Sequence, residues 1–203
     1  MFVGTSRGRS DLYTYDLDAK RLTNLTDDVF SDADPVWSAD AKTIYFSSDR
    51  TTYLDPAAVP PGFKMQTYDF HQLDLYALDV ATRKITRVSN FPNSDETSPV
   101  ALPDGKHLMF ISDMNGINNV YVMDLDSGSV YPRTNSLSGI YQLSVSHDGG
   151  KVAFASLHNA GFDLFLMRGP LDREERKAEL EPTEFFKRRY GVHANDTVAV
   201  RRD

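Results

Sequence analysis

Residues 99–113 read PVALPDGKHLMFISD, and this stretch decides the fold. At its centre, Asp104-Gly105-Lys106 is a hairpin signal: the Asp side chain caps turn amides and the Gly takes a positive φ. The run that follows, Leu108 to Ile111, is apolar at consecutive positions, so a strand there has both of its faces covered. Outward along the chain the pattern returns, as PVWSADAKTIYFSSDR at 35–50 and as LSVSHDGGKVAFAS at 143–156. FVGTSRG at 2–8 enters the same pattern at its Phe.

The Phe anchors fall at positions 2, 46, 110 and 154, spaced by 44, 64 and 44 residues. A second marker follows each one: Asp11-Leu-Tyr13, Asp74-Leu-Tyr76, Asn119-Val-Tyr121 and Asp163-Leu-Phe165. Anchor and marker are 9 residues apart in three copies and 28 apart in the copy at Phe46, which places a 19-residue insertion within 51–72. Pro56, Pro60, Pro61 and Gly62 suit a surface loop there. Each unit divides into four strand-like pieces; in the second copy these are 35–39, 43–48, 73–79 and 84–89. A four-stranded unit of roughly 40–45 residues, repeated and covered on two faces, predicts propeller blades packed around an axis. The chain supplies three, four, four and three strands, an all-β propeller segment of about three and a half blades, open, with a short helical tail.

Composition agrees. Residues 1–170 hold 21 acidic residues, all Asp except Glu96, whereas 171–203 hold 8, of which 5 are Glu. Asp favours turns and Glu helix interiors, which separates a propeller segment over 1–170 from a helical linker or tail over 171–203. A helix is expected over 171–181, stopped by Pro182. A second is expected from Thr183, with Phe185, Phe186 and Tyr190 as its apolar side and Gly191 as its stop. The net charge of −7 argues against a nucleic-acid backbone as partner, and the absence of Cys removes disulfides and thiolate chemistry. No apolar run is long enough to span a bilayer, and no signal peptide is legible at the N-terminus.

These motifs resemble the β-propeller repeat of the TolB family. They are also similar to repeats in the propellers of tricorn and dipeptidyl-peptidase-like proteases. The resemblance covers residues 1 to about 170 and rests on PVWSADAK, PVALPDGK and the Asp-Leu-Tyr marker. Departures are Ala41 in place of Gly, Ala101 and Val145 where the second copy has Trp37, and the insertion. The resemblance implies a periplasmic or cell-envelope setting, protein or peptide partners, and further blades or domains of a longer parent chain.

Candidate chemistry is sparse. Gly4-Thr5-Ser6-Arg7-Gly8 matches the nucleophile-elbow pattern, but the repeat register puts it on a strand end and turn, so no catalytic residue is assigned. The five histidines form no metal-ligand spacing; His71, beside Asp69 and Asp74, is the one of interest. Asp27, Asp28, Asp32 and Asp34 are candidates for a divalent cation such as Ca²⁺, with solvated turn acids as the plainer reading and no cofactor expected. Trp37 and the Phe and Tyr anchors are expected in inter-blade packing. The insertion is richer in aromatics than a passive loop needs: Tyr53, Phe63, Tyr68 and Phe70, with His71 alongside, are the expected partner-binding residues. The chain is therefore expected to be a non-catalytic binding scaffold. The alternative is the substrate-gating propeller of a peptidase whose catalytic domain lies outside residues 1–203.

Overall fold

A computed structural model describes the chain apart from residues 7, 69, 71, 173–179 and 192–203. Four antiparallel sheets follow one another along the sequence. The first holds β1 (Phe2–Ser6), β2 (Arg9–Asp16) and β3 (Arg21–Asn24). The second holds β4 (Asp32–Trp37), β5 (Thr43–Ser48), β6 (Asp74–Asp79) and β7 (Ile85–Arg87). The third holds β8 (Glu96–Ala101), β9 (His107–Ser112), β10 (Asn119–Asp124) and β11 (Val130–Pro132). The fourth holds β12 (Ile140–Val145), β13 (Lys151–His158) and β14 (Gly161–Arg168). Strands pair in chain order within each sheet, and β8 touches both β4 and β12, so the first strands meet at the hub. This is the expected succession of propeller blades.

The covered faces explain the unbroken apolar runs. Leu12, Ile44, Phe46, Tyr76 and Leu78 fill the space between the first two sheets. Leu75, Leu108, Phe110 and Tyr121 fill the next, and Met109, Ile111, Val120 and Val152 the last. Phe46 and Phe110 are fully buried. Fully burying one such side chain stabilises by about 1.5–3 kcal/mol. Trp37 departs from expectation: at 36% exposure it lies at the rim of its sheet. A bulge between Ala33 and Val36 shifts the register of β4 just before it.

That bulge recurs. β8 shifts between Thr97 and Val100, and β12 between Tyr141 and Leu143. Asp34, Ser98 and Gln142 take φ of 51°, 51° and 55° at the same repeat position. At the opposite end of these strands, Ala41 has φ 55°, matching Gly105 at 69° and Gly149 at 71°. The turn backbone is therefore common to all three blades even where Gly is not.

After β14 the chain turns back. The seven-residue helix α1 (Glu184–Tyr190) starts at Thr183, whose hydroxyl accepts from the Phe186 amide at 3.2 Å, and stops at Gly191 with φ 67°. Of the expected apolar side only Phe186 is buried, whereas Phe185 is 66% exposed. Adjacent helical positions lie about 100° apart and cannot share one face. Phe186 packs beside Gly116, in the loop between β9 and β10, where the Thr183 amide donates to the Asn115 carbonyl at 2.8 Å. The helix expected over 171–181 lies largely outside the described residues. No helix among those described is long and apolar enough to cross a membrane.

Candidate functional site

The connections from second to third strand, and from each sheet to the next, all emerge on one rim. The insertion, the Asp-rich turn at 27–34 and the turn at 93–98 therefore share that rim. A repeated device holds it. The amides of Leu12, Leu75 and Val120 donate to the hydroxyls of Thr26, Ser89 and Thr134 at 3.2, 2.8 and 2.9 Å. Each bond ties a third strand to the segment that leaves the fourth. The marker residue beside each amide closes the same junction. Asp11 accepts from Asn24 and Asp74 from Arg87, while Asn119 accepts from the Thr134 hydroxyl. Asp49 and Asp113, at the end of the anchor motif, accept from the amides of Ser31 and Asp95 at 2.9 and 2.8 Å.

Between the first and second sheets this rim encloses a charged centre. Arg50, with no solvent exposure, donates to Asp28 at 2.9 Å, to Asp32, and to the Ser48 hydroxyl at 3.1 Å. Its guanidinium lies 5.6, 5.3 and 5.6 Å from the ring centroids of Phe30, Phe46 and Tyr76, within cation–π range. Asp11, Asp28 and Asp32 each bring a carboxylate oxygen to within 4.8 Å of the others. Burial pushes the Asp32 carboxyl up to about 6; Arg50 opposes the rise and the charge of Asp28 adds to it. One Asp32 oxygen is buried without a hydrogen-bond partner.

The four Asp residues singled out as cation candidates thus divide. Asp28 and Asp32 come together, joined by Asp11, and Arg50 provides positive charge between them. Asp27 is exposed at the turn. Asp34 is exposed near the hub, where its carboxylate accepts from the Ser98 amide at 2.9 Å. A cation at Asp28 and Asp32 would have to displace the guanidinium. Asp11 was not singled out, although its place in the repeated marker fixes it at the start of a third strand.

The insertion packs onto this centre. Tyr53, Phe63 and Tyr68 close around Phe30, each ring centroid 5.6–5.9 Å from its own. The Tyr68 hydroxyl donates to the Arg50 carbonyl at 2.6 Å and meets the Thr51 hydroxyl. Three of the expected partner-binding aromatics are therefore half-buried and fasten the loop, whereas Phe70 is 43% exposed. His71, the fifth, lies outside the described residues. Phe30, the residue that the loop covers, was not anticipated; it is an isolated aromatic between two Asp-rich segments. Single 3₁₀ turns at Pro56–Ala58 and Met65–Thr67 carry exposed residues outward.

Between the second and third sheets the equivalent of Asp32 is Glu96. It has no solvent exposure and accepts from the hydroxyls of Ser89, Ser94 and Ser112 at 2.9, 2.8 and 2.9 Å. Burial raises its carboxyl to about 8, against the lowering by these hydroxyls. Farther along the rim an open cavity of about 280 Å³ is lined by Thr134, Ser136, Ser138, His158 and Phe165 among others. Ser6 lies on β1, paired with Arg9 across a hairpin, not on the strand-to-helix turn that a nucleophile elbow requires.

No protein-family model matches the chain, and no curated protein matches it. Solved structures do. TolB from Acinetobacter baumannii superimposes with a TM-score of 0.62 at 22% identity, covering 83% of this chain and 38% of that one. A putative TolB from Agrobacterium tumefaciens gives 0.61 at 21% identity, covering 81% and 55%. A puromycin hydrolase mutant complexed with PGG gives 0.57 at 14% identity, covering 82% and 24%. The chain thus has the β-propeller fold found in TolB, and it spans about a quarter to a half of the length of these proteins.

Proposed function

We propose that this chain is a binding scaffold of the TolB-like propeller type, which takes a protein or peptide on the rim that carries the insertion. The observation that supports this is the division of labour inside 51–72. Tyr53, Phe63 and Tyr68 lock the segment onto Phe30 and Arg50, while Phe70 is 43% exposed and the two 3₁₀ turns carry exposed residues. A loop fixed at its base loses little conformational entropy when a partner docks. Phe70 is then the apolar anchor and the exposed Lys64 a polar flank. The likeness to TolB supports an envelope setting for that partner.

The second reading is that of a propeller which selects substrate for a peptidase domain outside residues 1–203, and the likeness to puromycin hydrolase favours it. Capture from an envelope extract separates the two. Phe70→Asp and Lys64→Glu leave the fastening aromatics in place, so on the scaffold reading they abolish capture while thermal unfolding is unchanged. Unaltered capture by both variants would remove the insertion from the site. A hydrolase motif in the translated sequence after residue 203 would favour the second reading instead.

A further inference from the structure

We propose that Glu96 is a proton-operated latch: held neutral, with its proton between Oε1 and the Ser94 hydroxyl, it fastens the turn at 91–95 and, through that turn, the C-terminal end of the insertion. The proton follows from counting donors. The Ser89 hydroxyl accepts from the Leu75 amide at 2.8 Å and the Ser112 hydroxyl from the Met114 amide at 3.3 Å, so each has its own hydrogen left for Glu96. Ser94 differs. Its one hydrogen faces two acceptors, Glu96 Oε1 at 2.8 Å and the Phe91 carbonyl at 3.3 Å. A proton on Oε1 resolves the conflict: Glu96 donates to Ser94, and Ser94 donates on to Phe91. Oε1 still accepts from Ser112 and Oε2 from Ser89, which pairs every polar atom of the cluster. An ionised Glu96 instead draws the Ser94 hydroxyl away from Phe91. It also stands, with no solvent exposure, near Asp74, whose charge opposes the ionisation.

The titratable and charged groups around Glu96 are Asp74 on β6, Asp95 beside it in the chain, Asp113 after β9 and Tyr121 on β10. Arg87 of β7 donates to Asp74, and Arg189 of α1 acts on Asp113. Both cations are thus spent on neighbours, and a proton is what neutralises Glu96. The turn that Ser94 closes is also the clasp of the insertion. The Phe91 carbonyl accepts from Gln72 Nε2 at 2.8 Å, and the Leu73 amide donates to the Asp95 carboxylate at 2.8 Å. The Glu96 amide donates to the Leu73 carbonyl at 2.7 Å. Residues 72 and 73, where the insertion returns to β6, are therefore held from 91–96. Loss of the proton unfastens this end of the rim. Its consequence for a partner rests on the scaffold reading proposed above; the latch itself is measured without a partner, so failure of one leaves the other standing.

Carbon-13 NMR of the Glu96 carboxyl group, with amide exchange over a pH series, tests both parts on the 203-residue chain. The carboxyl carbon is expected to move from the acid to the carboxylate position around pH 8. Corrected for the intrinsic pH dependence of exchange, protection of the Leu73 and Glu96 amides is expected to fall over the same interval. The fall should be about tenfold larger than that at Leu12, whose bond to Thr26 lies in the first sheet. Glu96→Gln, neutral at every pH, is expected to abolish the difference. A Glu96 carboxyl already ionised at neutral pH overturns the proton assignment. A titration around 8 with no selective loss at Leu73 and Glu96 overturns the latch, as does a selective loss that persists in Glu96→Gln. If that variant does not fold, the wild type decides alone: coincident midpoints for titration and loss of protection support the latch, and separate midpoints overturn it.

Discussion

Ser98 donates its amide to the Asp34 carboxylate at 2.9 Å, joining residues 64 positions apart that hold the same place in successive blades. Both sit at the inner-strand bulge, both with φ of 51°. The hub is thus tied laterally by the residues that also bend its strands. Asp34→Ala should cost about 1 kcal/mol for the lost bond and about 1–2 kcal/mol for Ala in a left-handed conformation. Asp34→Asn keeps an acceptor oxygen and tolerates that φ, so it should cost clearly less. Urea unfolding of the two variants provides the comparison.

Arg50 is the most heavily committed side chain on the rim. Replacing it by Met, the residue at the equivalent position 114 of the next blade, leaves Asp28 and Asp32 buried without their cation. Removing one partner of a buried ion pair costs about 3–5 kcal/mol. Arg50 holds the Asp32 carboxyl down, so without it that carboxyl rises further above about 6, and the loss should shrink as pH falls towards 6 and level off below it. Denaturant midpoints of Arg50→Met at neutral and mildly acidic pH check both the size and the direction.

Glu96 gives the fold a pH dependence of definite sign. Its folded value of about 8 lies above the ordinary 4.5, so the native state holds a proton that the unfolded chain releases. The stability this group contributes is full below about 4.5 and is lost as pH rises towards 8. Glu96→Gln keeps a neutral side chain among Ser89, Ser94 and Ser112 at every pH. Relative to wild type, the variant should gain stability steadily across that interval and level off above it, as followed by chemical denaturation.

Ala41 and Gly116 test the backbone. Ala41 stands at φ 55° where the equivalent turns have Gly, so Ala41→Gly should stabilise by up to about 1 kcal/mol, after Gly's larger unfolded-state entropy is set against the relieved strain. Gly116 has φ 89°, and a Cβ there would lie 2.4 Å from the Thr183 hydroxyl and 3.0 Å from Phe186 Cβ. Gly116→Ala should release α1, exposing Phe186. Faster amide exchange confined to 184–190 and the 113–118 loop is the expected signature.

Much of this was legible because the repeat carries its physics in residue types. Phe2, Phe46, Phe110 and Phe154 are spaced by 44 residues except across the insertion, and Asp104-Gly105 and Asp148-Gly149 state their turns outright. Thr183 and Gly191 likewise bound α1 where expected. The hub bulge was not legible, since Asp34, Ser98 and Gln142 share a backbone conformation and no chemistry. The candidate site was only half legible. Its aromatic loop announced itself by composition, but three of those rings are spent on Phe30, a contact fixed by the fold of the loop and by no spacing along the chain. Asp11 and Arg50 gained their meaning only when adjacent blades brought them to Asp28 and Asp32. Glu96 did carry a signal, as the only Glu among the acids of 1–170, because its longer side chain reaches three hydroxyls at once.

Amide hydrogen exchange at four residues tests the blade repeat most directly. The amides of Leu12, Leu75 and Val120 bond across to Thr26, Ser89 and Thr134 under cover of the following sheet, whereas Leu164 stands in the same register on β14 with no fourth strand beside it among the described residues. Strong protection of the first three with rapid exchange at Leu164 is the predicted pattern. Equal rates at all four would contradict a set of equivalent blades packed around a common hub.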